Sequence, residues 1–153
     1  MSRVLQRLTP ATGYPVRHLA EPAEPQLNIS VIFTSVNSTL SALREAGRLA
    51  SSLGGHITLV VPQVVPYPLD VDTPPVTAGF NDRHFRTVAG ASSVSTTVRI
   101  YLCRDRVEAA LAALTPHSLV VIGRRKWWWP SPEKRLAGKL RRAGHEVIVA
   151  ERN

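Results

Sequence analysis

Residues 124 to 144 hold eight Lys or Arg side chains (Arg124, Arg125, Lys126, Lys134, Arg135, Lys139, Arg141 and Arg142) against one acid, Glu133. This local excess makes up most of the chain's formal net charge of +8. Positive charge gathered so tightly creates a field for an anion or an anionic surface, whereas a diffuse excess affects little beyond solubility. Arg124, Arg125 and Lys126 directly follow the apolar run Leu119-Val-Val-Ile-Gly123. Guanidinium groups bind phosphate bidentately, and Ser131 with the free amides of the helix it opens would add donors. All three tryptophans, Trp127, Trp128 and Trp129, come next. Three in a row cannot all face inward from a loop. Those left outside would suit stacking on a base, anchoring at a membrane interface or a homodimer contact. The competing reading is structural: one tryptophan covers the core, and the cations form a solvated surface with favourable charge near a helix C-terminus.

Other chemistry is poorly represented. His18, His56, His84, His117 and His145 are scattered, and no pair has metal-ligand spacing. No Ser/His/acid set and no paired carboxylates can be argued from the order of residues. The single cysteine, Cys103, excludes an internal disulfide and reads as a small buried residue, although Arg104 and Arg106 flank it. The expectation is therefore a protein that is not an enzyme, with no metal and no catalytic residue. One unpaired thiol fits a reducing cytoplasm. The apolar stretches fall far short of the ~20 residues needed to span a bilayer.

The elements that must position these residues follow from periodicity. At 153 residues and 44% hydrophobic, the chain suits one domain with a proper core. Residues 1–26, with four prolines, read as a flexible tail, and residues 27–153 as the folded domain. Ile29–Thr34 is a strand by composition. Ser38 is placed to cap a helix whose inner face is Leu40, Leu43, Gly47, Ala50 and Leu53, ended by Gly54-Gly55. His56–Val61 is strand two. Pro62–Pro75, with five prolines, reads as a long connection. A helix is expected over Val76–Ala89, with Phe80, Phe85 and Val88 inward and an Asp82–Arg86 pair outward. Thr96–Cys103 is strand three, and Asp105-Arg-Val-Glu108 has capping-box spacing for the next helix. Leu119–Gly123 is strand four. Ser131-Pro132-Glu133 opens a helix burying Leu136, Leu140 and Ala143, and Val147–Ala150 is strand five. Strands alternating with helices imply a doubly wound α/β fold, a mainly parallel five-stranded sheet with helices on both faces.

This order of elements, Thr34-Ser-Val-Asn-Ser38 after strand one, Val121-Ile-Gly123 ending strand four and Gly144-His-Glu-Val-Ile-Val149 at the close resemble the universal stress protein family over residues 27 to 151. The resemblance implies a Rossmann-like strand order of 3-2-1-4-5, with a ligand crevice between strands one and four. It also implies a non-enzymatic regulatory or binding module, with an adenine nucleotide as the candidate cofactor and homodimerisation through the last strand. Nucleotide-binding members carry Gly-x2-Gly-x9-Gly-Ser/Thr after strand four. Here Gly123 matches the first glycine, Lys126 stands at the second, and Leu136-Ala137 stand at the final pair. Thr34 occupies the position of the acid that binders use at the end of strand one. A nucleotide or other phosphate ligand would then be held by Thr34, Ser35 and Asn37 from one side. Gly123, Arg124, Arg125, Lys126 and Ser131 would hold it from the other. The alternative is an interaction module with an empty crevice, whose basic helix and tryptophans contact a second copy, nucleic acid or an anionic membrane.

Overall fold

The computed structural model describes residues 5–10, 27–65, 67, 78–90, 92, 94–125 and 131–152. In chain order its elements are β1 (Leu5–Pro10), β2 (Asn28–Ile32), α1 (Val36–Leu53), β3 (His56–Val64), α2 (Ala78–Ala89), β4 (Thr96–Cys103), α3 (Arg106–Ala113), β5 (Leu119–Arg125), α4 (Pro132–Arg142) and β6 (Glu146–Arg152). The sheet runs β1-β4-β3-β2-β5-β6. Its last five strands are parallel. Counted without β1 they have the expected order 3-2-1-4-5, a doubly wound Rossmann-like fold.

The two faces have separate cores. Ile29, Val31, Leu59, Val61, Val98 and Val121 point to one side, where α1 supplies Ala42, Leu43, Ala46 and Ala50 and α2 supplies Phe85 and Val88. Ile32, Val60, Tyr101, Val120 and Ile122 point to the other, beneath Ala109 and Ala110 of α3 and Leu136 and Leu140 of α4. Alternate side chains of the parallel strands thus serve opposite layers, the near-continuous apolar pattern of a sheet covered on both faces. Several ends close as their local chemistry dictates. Asp105 Oδ1 accepts from the Glu108 amide at 2.8 Å, and Ser131 Oγ accepts from the Lys134 amide at 3.3 Å. Gly54 terminates α1 at φ 68°, the left-handed conformation that glycine adopts without steric cost.

Four features differ from the sequence reading. Leu5–Pro10, inside the stretch read as a tail, forms an edge strand antiparallel to β4. It covers a β4 edge that would otherwise expose unpaired backbone groups. Second, β3 continues through Pro62 to Val64. Even-numbered β3 residues bond towards β2, as Val60 O does with Phe33 N at 2.9 Å. Beyond Val60 that side has no strand partner among the described residues, because β2 ends at Ile32. The N–H that Pro62 lacks is therefore not required, and proline is tolerated at such a position. Third, Ser35 rather than Ser38 caps α1, its Oγ accepting from the Ser38 amide at 3.3 Å. Ser38 is buried within the first turn of the helix. Fourth, Leu53 is 61% exposed, being the last helical residue before the chain turns at Gly54. Ala143, at the corresponding end of α4, is exposed as well, and Ala137 takes the expected buried place. The side chains of Phe80 and Asp82 lie outside the described residues.

His56 opens β3 half-buried, with Nε2 2.9 Å from Thr97 Oγ1. Burial, and secondarily the charge of Arg99, push its pKa below the ordinary value. The unfolded chain therefore binds this proton more readily than the folded one. The contribution of neutral His56 is complete above the unfolded pKa and is lost as pH falls through the folded one. The melting temperature should drop as pH falls below about 6.5, and drop less in His56→Gln. An equal drop in both proteins would place the acid sensitivity elsewhere.

Candidate functional site

The strand order reverses between β2 and β5, and the chain leaves both strands at the same edge of the sheet. Doubly wound folds hold ligands in the crevice this creates. α1 begins directly above it. Besides Leu43, its buried side carries the small residues Ser38 and Thr39 in the first turn, followed by Ala42, Ala46, Gly47 and Ala50. Side chains of this size let the helix lie close to the sheet, and the approach is closest at Gly123. A Cβ added there would overlap the Ser38 carbonyl and come within 3.0 Å of Ser38 Cα. Only glycine fits, and what it accommodates is the backbone of α1.

The remaining candidates sit around that contact. Thr34, just past β2, donates from its hydroxyl to the Gly123 carbonyl at 3.3 Å, while its amide donates to Thr39 Oγ1 at 3.2 Å. Thr34 therefore laces the ends of β2, β5 and α1 together. Ser35 caps α1, and Asn37 is exposed on its first turn. Ser131, the cap of α4, is engaged in the same way as Ser35.

β5 continues two residues past Gly123, so Arg124 and Arg125 belong to the strand rather than to a loop. Consecutive strand residues point to opposite faces, and the sheet lies between the two guanidinium groups. Arg124 shares the α4 face with its β6 neighbour Glu151, and Nη2 meets Glu151 Oε1 at 3.0 Å. Its Nε is buried without a hydrogen-bond partner. Arg125 is exposed on the α1 face. Lys126, Trp127, Trp128 and Trp129 lie outside the described residues.

Thr34, Ser35, Gly123, Arg124 and Ser131 thus each make a contact that braces the fold. Sequence reasoning read Gly123 as the opening of a phosphate loop. The signal for its other role is the small residues spaced along one side of α1, Ser38, Thr39, Ala42, Ala46, Gly47 and Ala50, which announce a closely packed helix.

Chemistry elsewhere is sparse. Cys103 is buried, and its thiol donates to the Gln63 carbonyl at 3.5 Å. Burial raises its pKa, with opposing help from Arg106, so the reactive thiolate is disfavoured. His145 is buried and accepts the Ser118 amide on Nδ1 at 3.2 Å. Among the described residues no group of three or more His, Cys, Asp or Glu is arranged to hold a metal ion. No helix among them is long and apolar enough to cross a membrane. No protein-family model matches the chain, and no curated protein matches it.

If Thr34 braces the crevice, Thr34→Val should lose the hydroxyl–carbonyl bond at a cost of about 1 kcal/mol, measured by urea denaturation. A neutral substitution would mean that the hydroxyl has no structural role and is available to a ligand.

Proposed function

We propose that the protein is a non-enzymatic interaction module of the universal-stress-protein type, working through its surface rather than through an occupied crevice. The observation that carries this reading is the internal engagement of Thr34, Ser35, Gly123, Arg124 and Ser131. A phosphate would have to compete with bonds that hold β2, β5, α1 and α4 in place.

Among the described residues, the outer side of α4 and the outer edge of β6 are the surfaces that suit this role. Glu146 N donates to Ser118 O, so even-numbered β6 residues face β5. The backbone groups of Val147, Val149 and Glu151 consequently face away from the sheet. Arg141 Nη2 donates to the Val147 carbonyl at 3.1 Å and covers part of this edge. A second copy pairing antiparallel through β6 would use the rest, which supports a homodimer. The edge strand has no proline, and its central run is Val147-Ile-Val-Ala150. A cytoplasmic setting agrees with this reading.

A second reading has one observation in its favour. The buried, unpartnered Nε of Arg124 would be completed by an acceptor, and a phosphate oxygen of an adenine nucleotide is one such group.

Titration of the full chain with ATP, AMP and a cyclic dinucleotide separates the two, because Trp127, Trp128 and Trp129 are its only tryptophans and follow β5 closely. The interaction-module reading expects no saturable fluorescence change beyond what inorganic phosphate produces at the same ionic strength. A saturable change that survives moderate salt and disappears in Arg124→Ala/Arg125→Ala would overturn it. For the β6 edge, Val149→Pro removes an outward-facing N–H and leaves the bonds to β5 intact. It should convert a dimer into a folded monomer by sedimentation equilibrium. A monomeric wild-type protein, or an unaffected dimer, would remove β6 from the interface.

A further inference from the structure

The outer side of α4 is more than a solvated face. Lys134, Arg135, Gly138, Lys139 and Arg142 line a groove of about 350 Å³. At about 100° per residue these five positions fall within one sector of the helix, opposite the buried Leu136, Ala137 and Leu140. Glu133, the only acid of the helix, projects from the buried side of the wheel and is half-buried. Among the described residues no side-chain ion pair or hydrogen bond engages Lys134, Arg135, Lys139 or Arg142. Four uncompensated cations on a short stretch of helix repel one another, and nothing in the packing requires that they converge.

Gly138 sharpens the point. A Cβ added there would meet nothing within 4 Å, so no neighbour excludes alanine. Glycine in a helix interior is destabilising relative to alanine and exposes backbone. Its effect here is to deepen the floor of a groove walled by cations, letting a bulky anionic group reach the helix. Gly123 is glycine because protein backbone lies against it, whereas the space above Gly138 is open.

We propose that this groove seats the phosphodiester backbone of a nucleic acid, without reading base sequence. From Lys134 to Arg142 the helix advances about 12 Å, a length over which duplex DNA carries about seven phosphate charges. Several phosphates of one strand therefore come within reach of long, flexible cationic side chains. A membrane fits less well, because a helix that lies in a lipid surface needs bulky apolar residues flanking its cations. On α4 the large apolar residues, Leu136 and Leu140, are buried against the sheet. The proposal rests on the reading that the working part of the molecule is its surface. A nucleotide site in the crevice would overturn that reading without changing the measurement below.

The test is fluorescence anisotropy of the full chain with a labelled mixed-sequence duplex, its single strand and the matching RNA, between about 50 and 200 mM salt. Nonspecific binding in the range of about 10⁻⁴ to 10⁻⁶ M is expected, with log K falling linearly with log salt. Lys134→Gln and Lys139→Gln should each reduce the salt slope by about 1, and changing all four cations to Gln should weaken binding at least about tenfold. Gly138→Gln fills the groove while keeping every charge, and should weaken binding several-fold in a protein that melts no lower than wild type. Arg44→Gln, on exposed α1, is the control and should leave the slope nearly unchanged. Equal weakening by Arg44→Gln and the α4 variants, or full binding by Gly138→Gln, would reduce the effect to diffuse charge and overturn the groove. If the α4 variants lose binding to phosphatidylserine vesicles but keep nucleic-acid binding, the proposal also fails.

Discussion

The close approach of α1 to the sheet governs much of this molecule. A helix can lie so near a strand only if its inner face is built mostly from small residues, and Ser38, Thr39, Ala42, Ala46, Gly47 and Ala50, with Leu43 as the large exception, provide that face. At the tightest point even a methyl group on the strand is too large, and Gly123 answers the need. Protein interiors are packed too densely to relax around such an overlap. The contact also sets the fate of the crevice, because the first turn of α1 is the element that a ligand at the switch point would have to approach.

Other residues around the crevice reinforce that contact. Thr34 ties β2 to β5 and to α1, and Arg124 ties β5 to β6 through Glu151. The ion pair is partly exposed, so its worth is modest, under about 1 kcal/mol. Its geometric effect is larger, since it holds Arg124 on the α4 side of the sheet while Arg125 extends from the other. Arg124 and Arg125, which look like parts of one site in the sequence, are divided by the strand. The uncompensated charge of the described residues gathers instead on the outer side of α4, where five positions share a sector that faces away from the core.

Local chemistry made much of this fold legible. Asp105 and Ser131 announce helix starts, Gly54 announces a helix end, and the β-branched runs from Ile29, Thr96 and Leu119 announce buried strands. What remained hidden depends on partners distant in sequence. Pro62 sits inside a strand because β2 has already ended beside it, which no local pattern shows. Leu5–Pro10 becomes a strand because β4 offers an edge, although its own residues lack clean alternation. Ser35 and Ser38 are both plausible caps, and the choice falls to the burial of Ser38 under Gly123. The candidate site was legible as a place, the switch point between the first and fourth parallel strands. It was not legible as an arrangement, because the strand runs two residues beyond the glycine and turns neighbouring arginines to opposite faces.

The central claim is that Gly123 is glycine for the sake of α1 and not for a phosphate. Denaturation of Gly123→Ala by urea tests it most directly. The account predicts a loss of about 3 kcal/mol or more, or failure to fold, because the added methyl group has only backbone to displace. A variant within about 0.5 kcal/mol of wild type would contradict it, and would return Gly123 to the role of a glycine kept open for a ligand.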